Sequence, residues 1–117
     1  MRMDDASKIL FDIQYVCKKN NDDPIIVAQI DGVLKPIKKA TYMVINGGDY
    51  INLWTDYGYE DDSVILSQLI GIVKRVHFPF EEIRIDFSKS VKSIKIDMID
   101  QIKVVVLEVE NENYSCK

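Results

Sequence analysis

The feature that most constrains the fold is a pair of apolar runs on either side of the tripeptide Asn46-Gly47-Gly48. A tight hairpin turn requires positive φ, which glycine adopts without a clash at Cβ, so residues 40–56 are predicted to form a β-hairpin. With both glycines in the loop, one face carries two apolar cross-strand pairs, Val44 with Ile51 and Tyr42 with Leu53. The other face carries six side chains: Thr41, Met43, Ile45, Tyr50, Asn52 and Trp54. Because neither face is polar, either both faces are covered or one face meets a partner.

Length and composition predict one globular domain over residues 1–117, with a polar tail at about 111–117. A chain of this size buries roughly two thirds of the surface that its unfolded form exposes. Apolar residues make up 47% of the chain, and its 17 Ile and 12 Val favour β-structure and exclude disorder for most of the length.

The two cysteines, Cys17 and Cys116, lie far apart and have no cysteine or histidine beside them, which predicts a reduced, cytoplasmic protein. The N-terminus lacks the basic and apolar regions of a signal peptide, and the longest aliphatic run, residues 104–107, is far too short to cross a bilayer. We therefore expect no contact with a membrane.

The net charge of −4 disfavours a general binder of nucleic-acid backbones. Lysine outnumbers arginine 12 to 3, and together with abundant isoleucine and asparagine this ratio suggests an AT-rich coding genome. Such genomes are typical of low-GC bacteria, of their phages and of large DNA viruses.

Residues 1–21 fit two kinds of secondary structure. As a helix, they present one stripe of five side chains: Ile9, Leu10, Ile13, Val16 and Cys17. As a strand, they place apolar or aromatic side chains at every second position, at Ile9, Phe11, Ile13, Tyr15 and Cys17. The ends favour the helix, because acidic residues stand near its start and basic residues in its last turn, where both complement the helix dipole.

The next segment is predicted to form two strands, residues 25–30 and 33–37, separated by an Asp31-Gly32 turn. Pro36 has no N–H to donate, so the second strand is expected at a sheet edge. Three nearby lysines fit an edge that is protected from unwanted pairing: Lys35, Lys38 and Lys39.

Residues 63–76 carry the clearest helical pattern in the chain. Seven apolar side chains lie on one side of this helix: Ile65, Leu66, Leu69, Ile70, Ile72, Val73 and Val76. Asp61 or Asp62 is placed to cap its first N–H groups, and Pro79 ends it. Burying the apolar side contributes about 10 kcal/mol before conformational entropy is subtracted, so we predict that this helix covers the sheet.

Three further strands are predicted at residues 83–87, 94–98 and 103–109, with turns at 88–90 and near Asp100-Gln101. The last strand is apolar on both faces, as expected of a central strand. The order α-β-β-β-β-α-β-β-β predicts a two-layer α+β domain, with a mostly antiparallel sheet, the helix 63–76 as its cover and an N-terminal helix.

No sequence motif for catalysis or for cofactor binding is present. His77, the single histidine, follows the second helix, where a structural role or a contact with the helix dipole is favoured over catalysis. The four carboxylates within residues 56–62 match no EF-hand spacing, and a solvated helix start explains them. We therefore predict no cofactor and no metal site.

Aromatic residues are densest at Tyr50, Trp54, Tyr57 and Tyr59. Exposed Tyr and Trp act as rigid amphipathic anchors in protein interfaces, and the alternative is that they pack beneath another layer. This cluster favours a non-catalytic protein-interaction or regulatory module, whose partner is another protein or a second copy of the chain.

Other classes of function stay open. A nucleic-acid-associated module needs the lysines of residues 35–39 and 89–95 to meet on one face, and a related idea is an acidic inhibitor that competes for the basic groove of a nucleic-acid enzyme. A small enzyme needs His77 to converge in a pocket with a carboxylate, either Asp56 or Asp86.

Overall fold

The computed structural model describes residues 1–45, 47–56, 63–75 and 82–109. Within these ranges, two helices and seven strands follow one another as predicted. Their bounds are α1 Met3–Lys19, β1 Ile26–Ile30, β2 Val33–Pro36, β3 Lys39–Ile45, β4 Gly48–Trp54, α2 Leu66–Val73, β5 Glu82–Ile85, β6 Lys89–Ile99 and β7 Ile102–Val109.

The strands form one curled, mixed sheet in the order β2-β1-β7-β6-β5-β4-β3. The pairs β1–β7 and β4–β5 are parallel, and the other four neighbouring pairs are antiparallel. Both helices pack into one core with the same face of the sheet. The predicted α+β fold with an N-terminal helix is therefore confirmed.

Helix α1 is explained by the spacing of its small and apolar residues. Five of its side chains are buried three or four residues apart: Met3, Ala6, Leu10, Ile13 and Cys17. Phe11 and Tyr15, which a strand would turn to the same side as Ile13, are exposed. The predicted stripe was wrong at Val16, which is exposed. The buried side is centred on Leu10, Ile13 and Cys17 and continues towards the N-terminus through Ala6 and Met3. Neither helix in the described ranges is long and apolar enough to span a bilayer.

The sheet curls because its two edge strands are consecutive in the chain. Only Ile37 and Lys38 separate β2 from β3, although these strands stand at opposite edges. The Ile37 N–H donates to the Ile26 carbonyl at 3.0 Å, and the Lys38 N–H donates to the Trp54 carbonyl at 2.8 Å. This link therefore draws the β1 and β4 regions together. The edge position of β2 confirms the prediction made from Pro36.

Strand β7 lies between β1 and β6 and is buried on both faces, as predicted for residues 103–109. Val105 and Leu107 belong to the core that contains the helices. On the opposite face, Val104 and Val106 pack with Val27 of β1. Burial of both faces of β7 explains why nearly every residue of this segment is apolar.

Helix α2 begins at Leu66, three residues later than predicted. The preceding backbone is extended because it makes β-type hydrogen bonds: the Val64 N–H donates to the Ile37 carbonyl at 2.8 Å, and the Ile26 N–H donates to the Val64 carbonyl at 2.9 Å. The predicted last residue, Val76, lies outside the described ranges. The amphipathic pattern is confirmed by four buried side chains: Leu66, Leu69, Ile70 and Val73.

The first turn of α2 is capped by a residue that is distant in sequence. Asp23 Oδ1 accepts a hydrogen bond from the Ser67 N–H at 2.9 Å. The predicted caps, Asp61 and Asp62, lie outside the described ranges. We expect Asp23→Ala to lower the free energy of unfolding, measured by urea denaturation, by about 1 kcal/mol. Asp23→Asn keeps an acceptor and should lose less, so equal losses in the two variants would contradict the capping role.

The register of the β3–β4 hairpin differs from the prediction. Val44 pairs with Asp49, so its predicted pairing with Ile51 was wrong by two residues. Gly47 has a φ of 78° and lies in the turn. Because side chains alternate with a period of two, the shift leaves the predicted membership of each face unchanged.

The turn between β5 and β6 contains residues 86–88 and not the predicted 88–90. Asp86 and Phe87 both adopt positive φ there, at 48° and 62°. The predicted turn at Asp100-Gln101 is confirmed, and both of its residues also adopt positive φ.

Candidate functional site

The candidate site lies on the sheet face that points away from both helices. Alternate residues of β4 and β5 join the helix-side core: Ile51, Leu53, Ile83 and Ile85. The intervening residues therefore point to the opposite side. This opposite side, called here the outer face, carries eight described side chains on β3 to β5: Lys39, Thr41, Met43, Tyr50, Asn52, Trp54, Glu82 and Arg84.

Several residues that the sequence singled out lie outside the described ranges. They are Tyr57, Tyr59, His77 and Cys116, and the acidic residues 60–62 lie there too. Tyr50 and Trp54 are described and share the outer face, as the hairpin pattern predicted. The site is therefore built around these two residues.

Trp54 is held from two sides. Its Nε1–H donates to Thr41 Oγ1 at 2.9 Å, across the hairpin. Its ring meets the Phe87 ring edge to face, with 4.8 Å between centroids and 90° between planes. Such aromatic pairs contribute about 0.5–1.5 kcal/mol beyond the area that they bury. The indole is thus fixed in place while remaining partly accessible.

The turn after β5 is held against β4 by hydrogen bonds with Thr55, which follows the strand, and with Asn52, which lies within it. Asp86 accepts from the Thr55 N–H at 3.0 Å and from the Thr55 hydroxyl at 2.7 Å. The Phe87 N–H donates to Asn52 Oδ1 at 2.7 Å. Positive φ is uncommon for residues other than glycine, and Asp adopts it more readily than most. These bonds hold the turn so that the Phe87 ring lies against Trp54.

Arg84 is positioned by three neighbours. Its guanidinium lies over the Tyr50 ring, with Cζ 5.2 Å from the centroid. Nε and Nη2 both donate to Glu82 Oε2, at 3.1 and 2.9 Å, and Nη1 donates to the Phe87 carbonyl at 3.4 Å. A guanidinium has five N–H groups, so two of them are left for a ligand.

Asn52 is only 1% exposed and lines a small pocket of about 160 Å³ with Tyr50, Arg84 and Phe87, called here the Asn52 pocket. Because its Oδ1 accepts the Phe87 N–H, the orientation of the amide is fixed by the hydrogen-bond network. Its Nδ2 has no acceptor among the residues that the structure describes. A buried donor left in this state costs about 1–3 kcal/mol.

A larger groove lies between α2 and the edge strand β3. Its volume is about 530 Å³, and its lining includes Lys38, Ala40, Ser67, Gln68, Ile72 and Arg75. Within the described part of the chain, no buried polar side-chain atom of this groove lacks a partner. The outer face takes precedence as the candidate site because Tyr, Trp and Arg side chains dominate binding energy in protein interfaces, whereas volume alone specifies no ligand.

Of the residues proposed for an enzyme, His77 lies outside the described ranges, so its convergence with Asp56 or Asp86 stays a prediction. The Asp86 carboxylate is bound by Thr55, and Asp56 lies 3.8 Å from Lys35 Nζ. Cys17 is fully buried, and burial raises the pKa of its thiol, which disfavours a reactive thiolate. In the described ranges, no three His, Cys, Asp or Glu side chains converge as metal ligands would.

The lysines proposed for nucleic-acid binding are spread over the sheet. The edge strands β2 and β3 each stand three strand spacings from β6, about 14 Å along the sheet. Lys95 Nζ lies 3.4 Å from a Glu108 oxygen. The hydroxyl of Ser93 and the charge of Lys95 lower the pKa of that carboxyl. Part of the positive charge is therefore compensated locally.

No protein-family model, curated protein or solved structure matches this chain. In the sequence, Asn52 stands between Tyr50 and Trp54 on the same strand face. A polar residue between two aromatic residues was the feature by which Asn52 could have been recognised as part of the site. Arg84 and Phe87 gave no signal, because they reach Asn52 through the parallel pairing of β4 with β5.

Proposed function

We propose that this chain is a non-catalytic protein-interaction module that acts in the cytoplasm and binds another protein through the outer face. Tyr50, Trp54 and Arg84 are the proposed anchors, and Tyr57 and Tyr59, which follow β4 in the sequence, are further candidate anchors. The observation that supports this most directly is that neighbouring residues hold Trp54 and Arg84 in place on the outer face. The lysine-rich composition supports an origin in a low-GC bacterium, a phage or a large DNA virus.

The anchors are of the residue types that dominate binding energy in protein interfaces, where Trp, Tyr and Arg are enriched. They are also held in place before any partner arrives. Thr41 and Phe87 fix the Trp54 ring, and Glu82 fixes the Arg84 guanidinium. Side chains that are ordered in advance lose less conformational entropy on binding, so more of the contact energy contributes to affinity.

The charges beside the pocket favour a protein over a nucleic acid. Two cations, Arg84 and Lys39, lie on the outer face, and the carboxylates of Glu82 and Asp86 lie on the same strand as Arg84 and on the turn that follows it. A phosphate backbone requires a surplus of positive charge, which this arrangement does not provide. Base stacking on Tyr50 or Trp54 would have to occur without that support.

Affinity capture from the native cells tests the proposal with two matched tyrosines. Tyr50→Ala removes an anchor from the outer face, whereas Tyr15→Ala removes a tyrosine that is 65% exposed on α1. We expect the Tyr50→Ala protein to retain at most about a tenth of the partner captured by the wild type, because a hot-spot anchor contributes about 2 kcal/mol or more and a tenfold change needs about 1.4 kcal/mol. Quantitative mass spectrometry measures the retained amount, and the Tyr15→Ala protein should capture as much as the wild type.

Thermal unfolding of each variant establishes that it is folded, and light scattering shows whether the partner is a second copy. A Tyr57→Ala, Tyr59→Ala double variant extends the comparison to the residues after β4. Full capture by a folded Tyr50→Ala protein would refute binding through the outer face. Loss of capture in Tyr15→Ala alone would assign the surface to α1.

A further inference from the structure

The sheet edge at β3 borders a groove on the helix side. β3 pairs with β4, and no described strand lies on its other side. The groove between α2 and β3, called here the α2–β3 groove, has a volume of about 530 Å³ and shares Ala40, Ile72 and Arg75 with an adjoining space of about 380 Å³. A strand edge offers main-chain N–H and C=O groups to a further strand, which is one of the recurring ways in which proteins bind extended peptides.

The walls of the groove follow the periods of a strand and a helix. Lys38, Ala40 and Tyr42 are spaced two residues apart, so they lie on the same side of the backbone. Gly71 and Arg75 line the opposite wall and are spaced four residues apart. A Cβ added at Gly71 would meet no atom within 4 Å, so the groove is open there. A strand added to β3 would therefore direct every second side chain into this space.

The middle of the groove is apolar. Ala40 and Ile72 line both spaces and are partly exposed, and Tyr42, which lines the smaller space, is 48% exposed. Covering these side chains with one apolar side chain of a partner removes hydrocarbon from water on both sides of the contact, which is favourable.

The two ends of the groove each carry a cation. The Val64 N–H donates to the Ile37 carbonyl at 2.8 Å, so the segment that leads into α2 begins beside Lys38. Arg75 follows the end of α2 and lies near Tyr42. The described lining contains no Asp or Glu, and neither cation forms an ion pair with another described residue. These charges are complementary to a partner with two acidic side chains.

We infer that the α2–β3 groove binds an extended acidic segment of another protein, which adds to β3 as a further strand. The segment presents an acidic, an apolar and an acidic side chain at alternate positions, so that the apolar one lies between Ala40 and Ile72 and the acidic ones lie against Lys38 and Arg75. The lengths agree, because Leu66 to Arg75 spans about 13 Å along a helix and four residues span about 13 Å along a strand.

A second copy of the chain is a poorer occupant of this edge, because it would bring the same cations to the joint. The inference goes beyond the proposed function, because the outer face points away from both helices whereas this groove lies beside α2.

Nuclear magnetic resonance of the ¹⁵N-labelled chain tests the inference with the peptide Thr-Glu-Thr-Val-Thr-Glu-Thr, which has seven residues like β3. The control peptide Thr-Glu-Val-Glu-Thr-Thr-Thr has the same composition and charge, but its valine points away from its glutamates when the chain is extended. We expect the first peptide to bind saturably with a Kd below about 1 mM and the control to bind at least about fivefold more weakly. Hydrogen exchange of main-chain N–H groups in β3 should slow when the first peptide is bound.

Gly71→Leu tests the space without removing a charge. Leucine is a better helix former than glycine, so the variant should fold, and its side chain occupies the groove. We expect the first peptide to bind at least about tenfold more weakly to this variant.

Arg75→Glu tests the charge, and Lys74→Glu is its matched control, because Lys74 is an exposed neighbour that is absent from the lining of the groove. Both variants change the net charge equally, and both residues follow the end of α2. We expect Arg75→Glu to weaken binding of the first peptide at least about fivefold and Lys74→Glu to weaken it less than about twofold. A peptide with lysines in place of both glutamates should bind Arg75→Glu more tightly than it binds the wild type.

Equal binding of the two peptides, equal effects of Arg75→Glu and Lys74→Glu, or no saturable binding below about 1 mM would overturn the inference. Dimers in light scattering that Gly71→Leu dissociates would assign the groove to a second copy and would also overturn it. Tyr50→Ala should bind the first peptide as tightly as the wild type, and a loss there would move the peptide to the outer face. Capture that does not depend on Tyr50, with peptide binding intact, would refute the proposed function alone.

Discussion

Replacing Leu10 with alanine is expected to lower the free energy of unfolding by about 2–5 kcal/mol, because the shorter side chain leaves a cavity in a closely packed core. Leu10 is fully buried in the cluster that joins both helices to the sheet. Urea denaturation followed by far-ultraviolet circular dichroism measures the change. This is the largest effect that we expect from a single truncation in α1.

Phe11→Ala is the matched control, because it truncates a larger side chain one residue further along α1. Phe11 is 38% exposed, so the expected loss is below about 1 kcal/mol. If residues 1–21 formed the alternating strand that the sequence also allows, Phe11 would point inward and Leu10 outward. A larger loss for Phe11→Ala than for Leu10→Ala would therefore contradict the helical packing.

Asp86→Ala is expected to lower the free energy of unfolding by about 2–4 kcal/mol. The carboxylate accepts both the N–H and the hydroxyl of Thr55, which is 3% exposed, and each donor left buried without an acceptor costs about 1–3 kcal/mol. Alanine also tolerates the φ of 48° at this position less well than aspartate does. Chemical denaturation gives the stability change.

Fluorescence provides an independent measurement of the same variant, because Trp54 is the single tryptophan of the chain. Release of the turn moves Phe87 away from the indole, so we expect the emission of Trp54 to change in folded Asp86→Ala protein. Asp86→Asn keeps an acceptor and suits positive φ, and it should show smaller changes in both measurements. Unaltered Trp54 emission in Asp86→Ala would show that Asp86 does not position the turn.

Local sequence patterns were sufficient to predict the helices and strands and to predict which residues share each face of the hairpin. The spacing of Leu10, Ile13 and Cys17 predicted a helix, and the run over residues 103–109 predicted a strand buried on both faces. Pro36 predicted an edge strand because a residue without an N–H cannot complete the ladder on both sides. The hairpin register was wrong by two residues, yet the faces were right because the side-chain period is also two.

Only the tertiary structure placed Arg84 and Phe87 beside Asn52 and Asp23 beside α2. The parallel pairing of β4 with β5 joins residues about thirty positions apart, and the cap of α2 comes from 44 positions away. Such contacts depend on the order of strands in the whole sheet, and no periodicity within one segment encodes that order. Apart from Val16 of α1, the sequence by itself determined which residues share a face of each helix or strand, because that follows from the geometry of the element. The three-dimensional fold decided which outward residues meet, because that depends on non-local packing.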